Sequence, residues 1–325
     1  MPTRNEEADI AGCIGCIARQ QYPLGDIQLI VVDAHSEDRT RDEVLEAAAP
    51  FGFGEVLVLD NPALRTSAGL NIGLAEARGI LLARVDARSR IPPDYLRACE
   101  VTLNARPEIG VVGGAQVARA RSLRPVDRGI AAALRNRWAT GLSRYRTAAY
   151  SGPGDTVWMG CLRTEELRAL GGWAEAVALN EDYELNSRYR AGGRVVWFDA
   201  SLRSDYLPRG SLRGLGRQYF CFGRVKGMWW ARGRRPARRQ VALVAAPVAL
   251  LGAVALLVRR LGPLAVVLVP VLLGIVERAG RTERGGENPS ATMASASIAV
   301  LSASWWVGVV AGFVGELAHV EHEHG

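Results

Sequence analysis

The sequence predicts an α/β domain with a mostly parallel sheet, followed by membrane-embedded helices at the C-terminus. Short apolar, β-branched runs alternate with helical segments in the N-terminal part of the chain, which is typical of βαβ units and a parallel sheet. Beyond residue 240 the chain becomes strongly apolar, and hydrophobic residues make up 49% of its 325 positions. A chain of this length has room for one large α/β domain and a smaller second part.

The first predicted element is a helix that has Asn5 as its N-cap, two acidic residues in its first turn, and an end near Arg19. The elements predicted after it are strand 27–32, helix 41–49, strand 55–59, helix 68–77 and strand 79–85. A βαβ fold normally begins with a strand, but only residues 1–4 precede the first helix. The sequence therefore leaves open whether the first strand of the sheet is missing.

Two carboxylates directly follow predicted strands. Asp33 follows strand 27–32, and Asp86 follows strand 79–85. In open α/β sheets, ligands bind outside the carboxyl ends of the strands. We therefore expect Asp33 and Asp86 to converge on the base, the ribose hydroxyls or the diphosphate-bound metal of a nucleotide.

An acidic cluster occupies residues 180–186, whose sequence is Asn-Glu-Asp-Tyr-Glu-Leu-Asn. It follows a Gly-Gly-Trp turn at residues 171–173 and is predicted to lie just before a helix. Carboxylates in a ligand site can act as general bases. Glu181, Asp182 and Glu184 are the candidates, and capping of the helix or ion pairing is the structural alternative for all three.

A membrane domain is predicted over residues 241–316. Its segments are 241–258, 261–276 and 294–315, of which the first is an uninterrupted apolar stretch long enough to span a bilayer. Arg259 and Arg260 separate the first two, which leaves a re-entrant hairpin open beside three full crossings. The alternative is a buried helical hairpin of a soluble domain. The His- and Glu-rich tail 317–325 is expected to be solvated and disordered.

Positive charge is concentrated just before this domain. The chain carries a formal net charge of +7. Ten Lys and Arg residues and no carboxylates lie between positions 208 and 240, including the predicted linker 231–240. Such a block obeys the positive-inside rule and favours anionic membrane lipids as partners. We expect domain 1–230 to be cytoplasmic, because no signal peptide precedes it, and we find no nucleic-acid-binding module.

Several motifs, in order, resemble those of family 2 glycosyltransferases, which adopt the GT-A fold. They occur over roughly residues 1–230, at positions 2–7, 31–40, 67–73, 85–95, 155–157, 180–186 and 218–226. Their combination is similar to the ExoA-like branch of that family, which serves succinoglycan biosynthesis. Membrane segments after such a domain fit the same branch.

The resemblance implies a membrane-bound, inverting hexosyltransferase of the cell inner membrane, with several membrane crossings. Its donor would be a nucleotide-diphosphate sugar, by family habit a UDP-sugar. Its acceptor would be a polyprenyl-diphosphate-linked saccharide in exopolysaccharide or cell-surface glycan synthesis. Two alternatives stay open, a polyprenyl-phosphate sugar synthase and a catalytically impaired membrane scaffold with the GT-A fold.

The resemblance also assigns roles to residues. Asp182 is the implied base, with Glu181 or Glu184 as the fallback. Pro2, Glu6 and Asp33 are implied to hold the base and ribose of the nucleotide. Gln218 and Arg224 are similar to a motif near the acceptor and diphosphate in processive relatives, but the spacing is longer here and Val225 replaces a Trp. That departure predicts transfer of one sugar per encounter.

The metal motif departs from the family pattern. Relatives hold Mn or Mg through an Asp-x-Asp-like triplet, and the corresponding residues are Asp86, Ala87 and Arg88. A guanidinium group has no lone pair for a cation. Asp86 therefore holds a divalent cation with water and the diphosphate, or Arg88 partly replaces the cation as a phosphate clamp. An ion pair at the surface is the structural alternative for Arg88.

Overall fold

A computed structural model of the chain describes residues 1–140, 144–147, 150–177, 179–233 and 291–323, with a few isolated positions between 236 and 260. The chain divides into two compact units, Met1–Val117 with Ala148–Tyr206 and Ala118–Thr147 with Leu207–Gly325. The predicted membrane segments 241–258 and 261–276 lie outside the described residues, apart from those isolated positions.

The strands are β1 Pro2–Thr3, β2 Gln28–Asp33, β3 Glu55–Asp60, β4 Leu81–Ala83, β5 Ser89–Arg90, β6 Ile109–Ala118, β7 Gly152–Pro153, β8 Trp158–Arg163 and β9 Val195–Tyr206. The helices are α1 Glu7–Ala18, α2 Thr40–Ala48, α3 Thr66–Glu76, α4 Tyr95–Ala105, α5 Pro125–Arg135, α6 Arg144–Thr147, α7 Thr164–Ala169, α8 Glu181–Ala191, α9 Leu212–Ala231 and α10 Ala291–Glu323.

The first unit contains the predicted parallel sheet. Strands β1, β2 and β3 pair in that order and in parallel, with helices α1 and α2 as crossovers. Thr3, Asp33 and Asp60 lie side by side at the carboxyl ends of these strands. The predicted alternation of strand and helix is confirmed up to α3. The predicted strand 79–85 is wrong in its bounds, because only Leu81–Ala83 forms a strand, which lies in the second sheet and ends three residues before Asp86.

The first strand of the sheet is present as a strand of two residues. Pro2 pairs with Val32 and Thr3 with Asp33, and the carbonyl of Met1 accepts the N–H of Val32 at 2.9 Å. The predicted N-cap of α1 is wrong by one residue, because Asn5 takes a left-handed φ of 54° and Glu6 is the cap.

A second sheet has the order β4-β8-β6-β9-β5, with β7 paired to β9. Its pairs β4 with β8, β6 with β8, β5 with β9 and β7 with β9 are antiparallel. The short strand β4 is thus fixed along β8, and the backbone N–H of Arg84 continues that ladder by donating to the carbonyl of Gly160 at 3.1 Å. This pairing sets where the chain leaves the sheet toward Asp86.

The main core of the first unit joins both sheets to their helices. Ile10 and Ile14 of α1, Tyr95 of α4 and Met159 of β8 are all fully buried in it, and Val31 of β2 is buried beside them. Burial of each such side chain stabilises the fold by about 1.5–3 kcal/mol. The core therefore holds β2 and β8 firmly below the loops that follow the strands.

Helices α9 and α10 pack closely in the second unit. A Cβ atom on Gly223 of α9 would overlap the carbonyl oxygen of Trp305, and one on Gly308 of α10 would overlap that of Phe220. Gly227 and Gly312 make equivalent approaches. Glycines four residues apart on each helix therefore let the two backbones touch, as small residues do in membrane helix pairs.

Helix α10 contains the third predicted membrane segment. Its stretch Ala291–Ala318 has a mean hydropathy of 1.8 and is long enough to cross a bilayer, although this rests on length and composition alone. Within the described residues it is the one helix of this kind. The expected disordered tail is wrong in part, because α10 continues through Glu323.

Candidate active site

A buried arginine lies at the centre of an acidic cluster in the first unit. The guanidinium of Arg84 donates from Nε to Asp86 Oδ1 at 2.9 Å, and from Nη1 to Glu181 Oε1 at 2.8 Å and Asp182 Oδ1 at 2.7 Å. The Arg84 side chain is only 9% exposed. The buried guanidinium thus connects Asp86 of the metal motif with Glu181 and Asp182, two of the candidates for the base.

The start of α8 brings the two acids to Arg84. Asn180 takes a left-handed conformation with φ 64°, and α8 begins at the next residue. Glu181 and Asp182 therefore lie in the first turn of the helix. The prediction that they lie just before the helix is wrong. Carboxylates are stabilised there by the free N–H groups and the dipole of the helix.

Glu184 belongs to a different interaction. Its carboxylate accepts hydrogen bonds from Arg188 Nε at 2.9 and 3.1 Å and from Arg188 Nη2 at 3.0 Å. Arg188 in turn donates to the carbonyl oxygens of Leu170 and Gly172. Glu184 thus supports the turn before α8 and does not join the cluster at Arg84.

Asp182 has the properties expected of a base. Its side chain is 29% exposed, whereas that of Glu181 is 11% exposed. Burial raises the pKa of Asp182 to about 6, Arg84 opposes this rise, and Glu181 and Asp86 add to it. A carboxyl group with a pKa near neutrality accepts protons more readily than an ordinary aspartate.

Trp173 also contacts the candidate base. This residue of the Gly-Gly-Trp turn is buried, and its indole Nε1–H donates to Asp182 Oδ1 at 3.4 Å. A small cavity of about 10 Å³ beside Arg84, Trp173 and Asp182 has room for about one water molecule and none for a sugar. A molecule larger than water therefore does not fit on this side of Asp182.

The cluster carries more negative than positive charge. Three carboxylates surround one guanidinium, and together they hold the pKa of Arg84 well above its usual value although burial alone would lower it. Asp86 is 31% exposed and has only Oδ1 bound to Arg84. A divalent cation that takes one carboxylate and completes its shell with water and phosphate oxygens fits this site. No cage of three ligand side chains occurs among the described residues.

Arg88 lies in a half-buried ion pair rather than on the surface. Its Nε is 3.2 Å from Glu6 Oε1, and the two side chains are 17% and 15% exposed. Both residues were expected to contact the donor, and in this structure they contact each other. The backbone N–H of Glu6 donates to Thr40 Oγ1 at 2.7 Å, so Glu6 is fixed at both ends.

Asp33 shapes the loop that follows β2. It is 1% exposed, and its Oδ2 accepts the N–H of Ser36 at 3.0 Å while its Oδ1 accepts the hydroxyls of Ser36 and Thr3. Pro2 lies next to Thr3 in β1. The expected contact of Pro2 and Asp33 with a nucleotide remains a prediction, and the structure gives Asp33 a role in holding the loop.

The loops after β1 and β2 cap each other's helices. Asp38 accepts the N–H of Thr40 at the start of α2 and that of Glu7 at the start of α1, at 3.0 and 3.2 Å. Glu7 Oε2 accepts the N–H of Arg39 at 3.0 Å. These bonds satisfy N–H groups that helix starts otherwise leave without partners.

Gln218 and Arg224 both lie on α9 of the second unit. Six residues correspond to about 240° around a helix, so the two side chains leave α9 in different directions. Arg224 is exposed, and Lys226 places its Nζ 4.2 Å from the centre of the Trp229 ring. Contact of Gln218 or Arg224 with a diphosphate remains a prediction.

Sequence reasoning missed Arg84 and Asn71 as parts of the site. Asn71 of α3 binds the backbone of Trp173 and thereby the turn that precedes α8. The available signal for Arg84 was a single charge at the end of an apolar strand, two residues before Asp86. Asn71 lies within the motif at positions 67–73, but that motif assigned no role to it.

Comparison with known proteins finds one matching family model and several similar proteins. The model for glycosyl transferase family 2 matches residues 1–149. The succinoglycan biosynthesis protein ExoA of Rhizobium meliloti (strain 1021) is 28% identical over 315 residues, which cover 95% of this chain and 92% of that protein. A Methanococcus voltae protein, dolichyl N-acetyl-alpha-D-glucosaminyl phosphate 3-beta-D-2,3-diacetamido-2,3-dideoxy-beta-D-glucuronosyltransferase, is 22% identical and covers 72% of this chain and 73% of its own.

A solved structure shares the fold. The mannosyltransferase PcManGT from Pyrobaculum calidifontis, in complex with GDP-Man and Mn²⁺, superposes with a TM-score of 0.62 at 19% identity and covers 93% of this chain and 84% of its own. Identity at that level supports the fold alone. Residues 1–149 thus match the family 2 glycosyltransferases, and the chain is similar to relatives named as glycosyltransferases and shares the GT-A fold.

Proposed function

We propose that the chain is a membrane-bound, inverting hexosyltransferase. It moves a sugar from a nucleotide-diphosphate donor, a UDP-sugar, to a lipid-linked saccharide during exopolysaccharide or cell-surface glycan synthesis. The observation that carries this proposal is the Arg84 cluster, which joins Asp182 at the start of α8 to Asp86 of the metal motif. The two ends of a displacement reaction, base and leaving group, each have a carboxylate there.

Asp182 acts as the base of a single displacement. It takes the proton of the acceptor hydroxyl while that oxygen attacks the anomeric carbon, and the bond from that carbon to the diphosphate oxygen breaks. Attack from the face opposite the leaving group inverts the anomeric centre. The raised pKa of Asp182, about 6, makes it a stronger proton acceptor than a solvated aspartate while it stays mostly ionised at neutral pH.

Binding of the donor diphosphate is assigned to Asp86. Its Oδ2, which does not accept the hydrogen bond from Arg84, would hold Mn or Mg. When bound, such a cation neutralises charge that develops on the leaving diphosphate. Pro2, Glu6 and Asp33 are assigned to the nucleoside. The Mn²⁺ and GDP-Man named with PcManGT support a cation and a nucleotide donor here.

The acceptor is assigned from the relatives. One is named for succinoglycan biosynthesis and another for a sugar carried on dolichyl phosphate. We therefore propose a polyprenyl-diphosphate-linked saccharide as acceptor. Exposed basic residues on α9, with Lys226 over Trp229, are the kind of surface that binds anionic lipid headgroups, and α10 supports a place in the inner membrane.

The test uses membranes that contain the full chain, radiolabelled UDP-sugars and extracted lipid-linked saccharides. Asp182→Asn is expected to abolish transfer while the affinity for the nucleotide diphosphate stays within about threefold, because the amide has no proton-accepting oxygen anion. Asp42→Asn, the same chemical change at a carboxylate that is 68% exposed, is the control and should transfer normally. Full turnover of Asp182→Asn contradicts the assignment.

Two acceptors in the same assay separate the remaining alternatives. Transfer to polyprenyl phosphate itself, in place of the lipid-linked saccharide, identifies a polyprenyl-phosphate sugar synthase. Nucleotide binding by the wild-type chain without transfer to either acceptor identifies a scaffold.

A further inference from the structure

The fold fixes both the backbone and the side chain of Arg84. Its backbone extends the pairing of β4 with β8, and its side chain is almost completely buried against β8 and α8. A buried guanidinium is stable only when its charge is compensated. A single ion pair would suffice for that, yet Arg84 binds three carboxylates from two separate segments.

Both donors to Asp182 use the same oxygen. Arg84 Nη1 lies 2.7 Å and Trp173 Nε1 lies 3.4 Å from Oδ1. Within the part of the chain that the structure describes, no residue donates to Oδ2. A carboxylate oxygen that accepts two hydrogen bonds is a weaker proton acceptor than its free partner, because both bonds stabilise its negative charge.

We propose that Arg84 is a positioning residue for the base. It fixes Oδ1 of Asp182, with Trp173 as the second donor, and leaves Oδ2 as the atom that takes the acceptor proton. Its Nε fixes Asp86 at the same time, so the base and the diphosphate-binding carboxylate keep a constant separation. This proposal rests on the role proposed above for Asp182.

For the alignment of Asp86 and Asp182, the shape of the Arg84 side chain matters more than its charge. The planar guanidinium sends Nε toward Asp86 and Nη1 toward α8, and this fork has a fixed geometry. A lysine ammonium is a single point that does not reproduce two such directions. Arg84→Lys therefore keeps the buried charge compensated and removes the alignment.

The test compares Arg84→Lys, Trp173→Phe and Asp182→Asn in the full chain in membranes. We measure kcat, the KM for the donor, nucleotide-diphosphate affinity and the midpoint of thermal unfolding. Arg84→Lys is expected to lower kcat by about 100-fold, since a misplaced catalytic group has effects of that order, with KM changed less than about fivefold. Trp173→Phe, which loses one hydrogen bond, is expected to lower kcat by about threefold to tenfold.

Arg163→Lys is the matched control. Arg163 is also a partly buried arginine, on the neighbouring strand β8, and donates to the carbonyl of Ile109 at 2.7 Å and to that of Leu103. It does not contact the cluster. The same substitution there should lower the unfolding temperature and leave kcat per folded molecule unchanged.

The outcomes separate this proposal from the one on which it rests. If Asp182→Asn is inactive while Arg84→Lys and Trp173→Phe keep kcat within about twofold of wild type, Asp182 stands as the base and the positioning role is overturned. If Asp182→Asn stays active, both fail. Should Arg84→Lys not fold, Trp173→Phe decides alone, and an unchanged kcat overturns the proposal.

Discussion

The side chain of Asn71 forms hydrogen bonds with both the N–H and the carbonyl of Trp173. Its Nδ2 donates to the Trp173 carbonyl at 2.9 Å, and its Oδ1 accepts the Trp173 N–H at 2.8 Å. Gly172, the residue before Trp173, has a φ of 67°, and a Cβ atom added there would overlap Asn71 Oδ1. Helix α3 thus fixes the turn whose tryptophan contacts the candidate base.

Asn71→Ala is expected to loosen this turn. Loss of the two backbone hydrogen bonds should lower the free energy of unfolding by about 1–3 kcal/mol, because the Trp173 N–H is left without its partner. We also expect a lower kcat, since Trp173 no longer holds its place beside Asp182. Thermal unfolding and initial rates measure both effects. Glu175→Ala removes only an exposed partner of Asn71, and equal losses in that control would contradict the account.

Turnover is expected to depend on the ionisation of Asp182. Its pKa of about 6 lies above the usual value because burial disfavours the charged form. Below that pH the carboxyl is protonated and has no capacity to take the acceptor proton, so kcat should fall about tenfold per pH unit. The folded state binds this proton more tightly than the unfolded state, so acid does not destabilise the fold through this group. A kcat that stays flat down to about pH 5 would contradict this.

A divalent cation is expected to be required. Arg88 lies 3.2 Å from Glu6 in an ion pair, so the proposed contact with the diphosphate falls to Asp86 through a bound cation. EDTA should suppress turnover, Mn or Mg should restore it, and Asp86→Asn should shift the cation titration to higher concentration. Turnover that is unchanged in EDTA would transfer the role of the cation to the arginines.

The glycines between α9 and α10 are expected to be intolerant of substitution. Gly308→Ala puts a Cβ on the carbonyl of Phe220, whereas Gly315→Ala on the same helix meets nothing within 4 Å. The first should force the helices apart and lower the unfolding temperature in detergent. The second should raise helix stability by about 1 kcal/mol, since alanine is the better helix former. Equal behaviour of the two variants would show that the helices do not pack in this way.

The elements of the parallel sheet were predictable from local sequence. Strand β2 carries a β-branched run that ends in a carboxylate, and only such a run fits a strand buried on both faces. The predicted strand 27–32 and the observed strand Gln28–Asp33 differ by one residue at each end. The predicted and observed bounds of α2 and β3 differ by one residue.

The hydrogen bonds that join the residues of the candidate site were not predictable from local sequence. Arg84 and its partners Glu181 and Asp182 are 97 and 98 residues apart in the chain. No periodicity links positions so far apart, because their meeting depends on how β4 pairs with β8. The resemblance to a family predicts Asp182 as the base, and that role stays a prediction, but the resemblance carried no information on what holds Asp182 in place.

The first turns of α1 and α2 are joined by hydrogen bonds from backbone to side chain. The N–H of Glu7 donates to Asp38, and the N–H of Arg39 donates to Glu7. Neither helix can fray at its first turn without removing an acceptor from the other. Local opening of the two turns is therefore one cooperative event, and the amide protons of Glu7 and Arg39 should exchange with solvent at a common rate. The edge of the sheet assigned to the nucleoside is then a single unit that opens and closes as a whole.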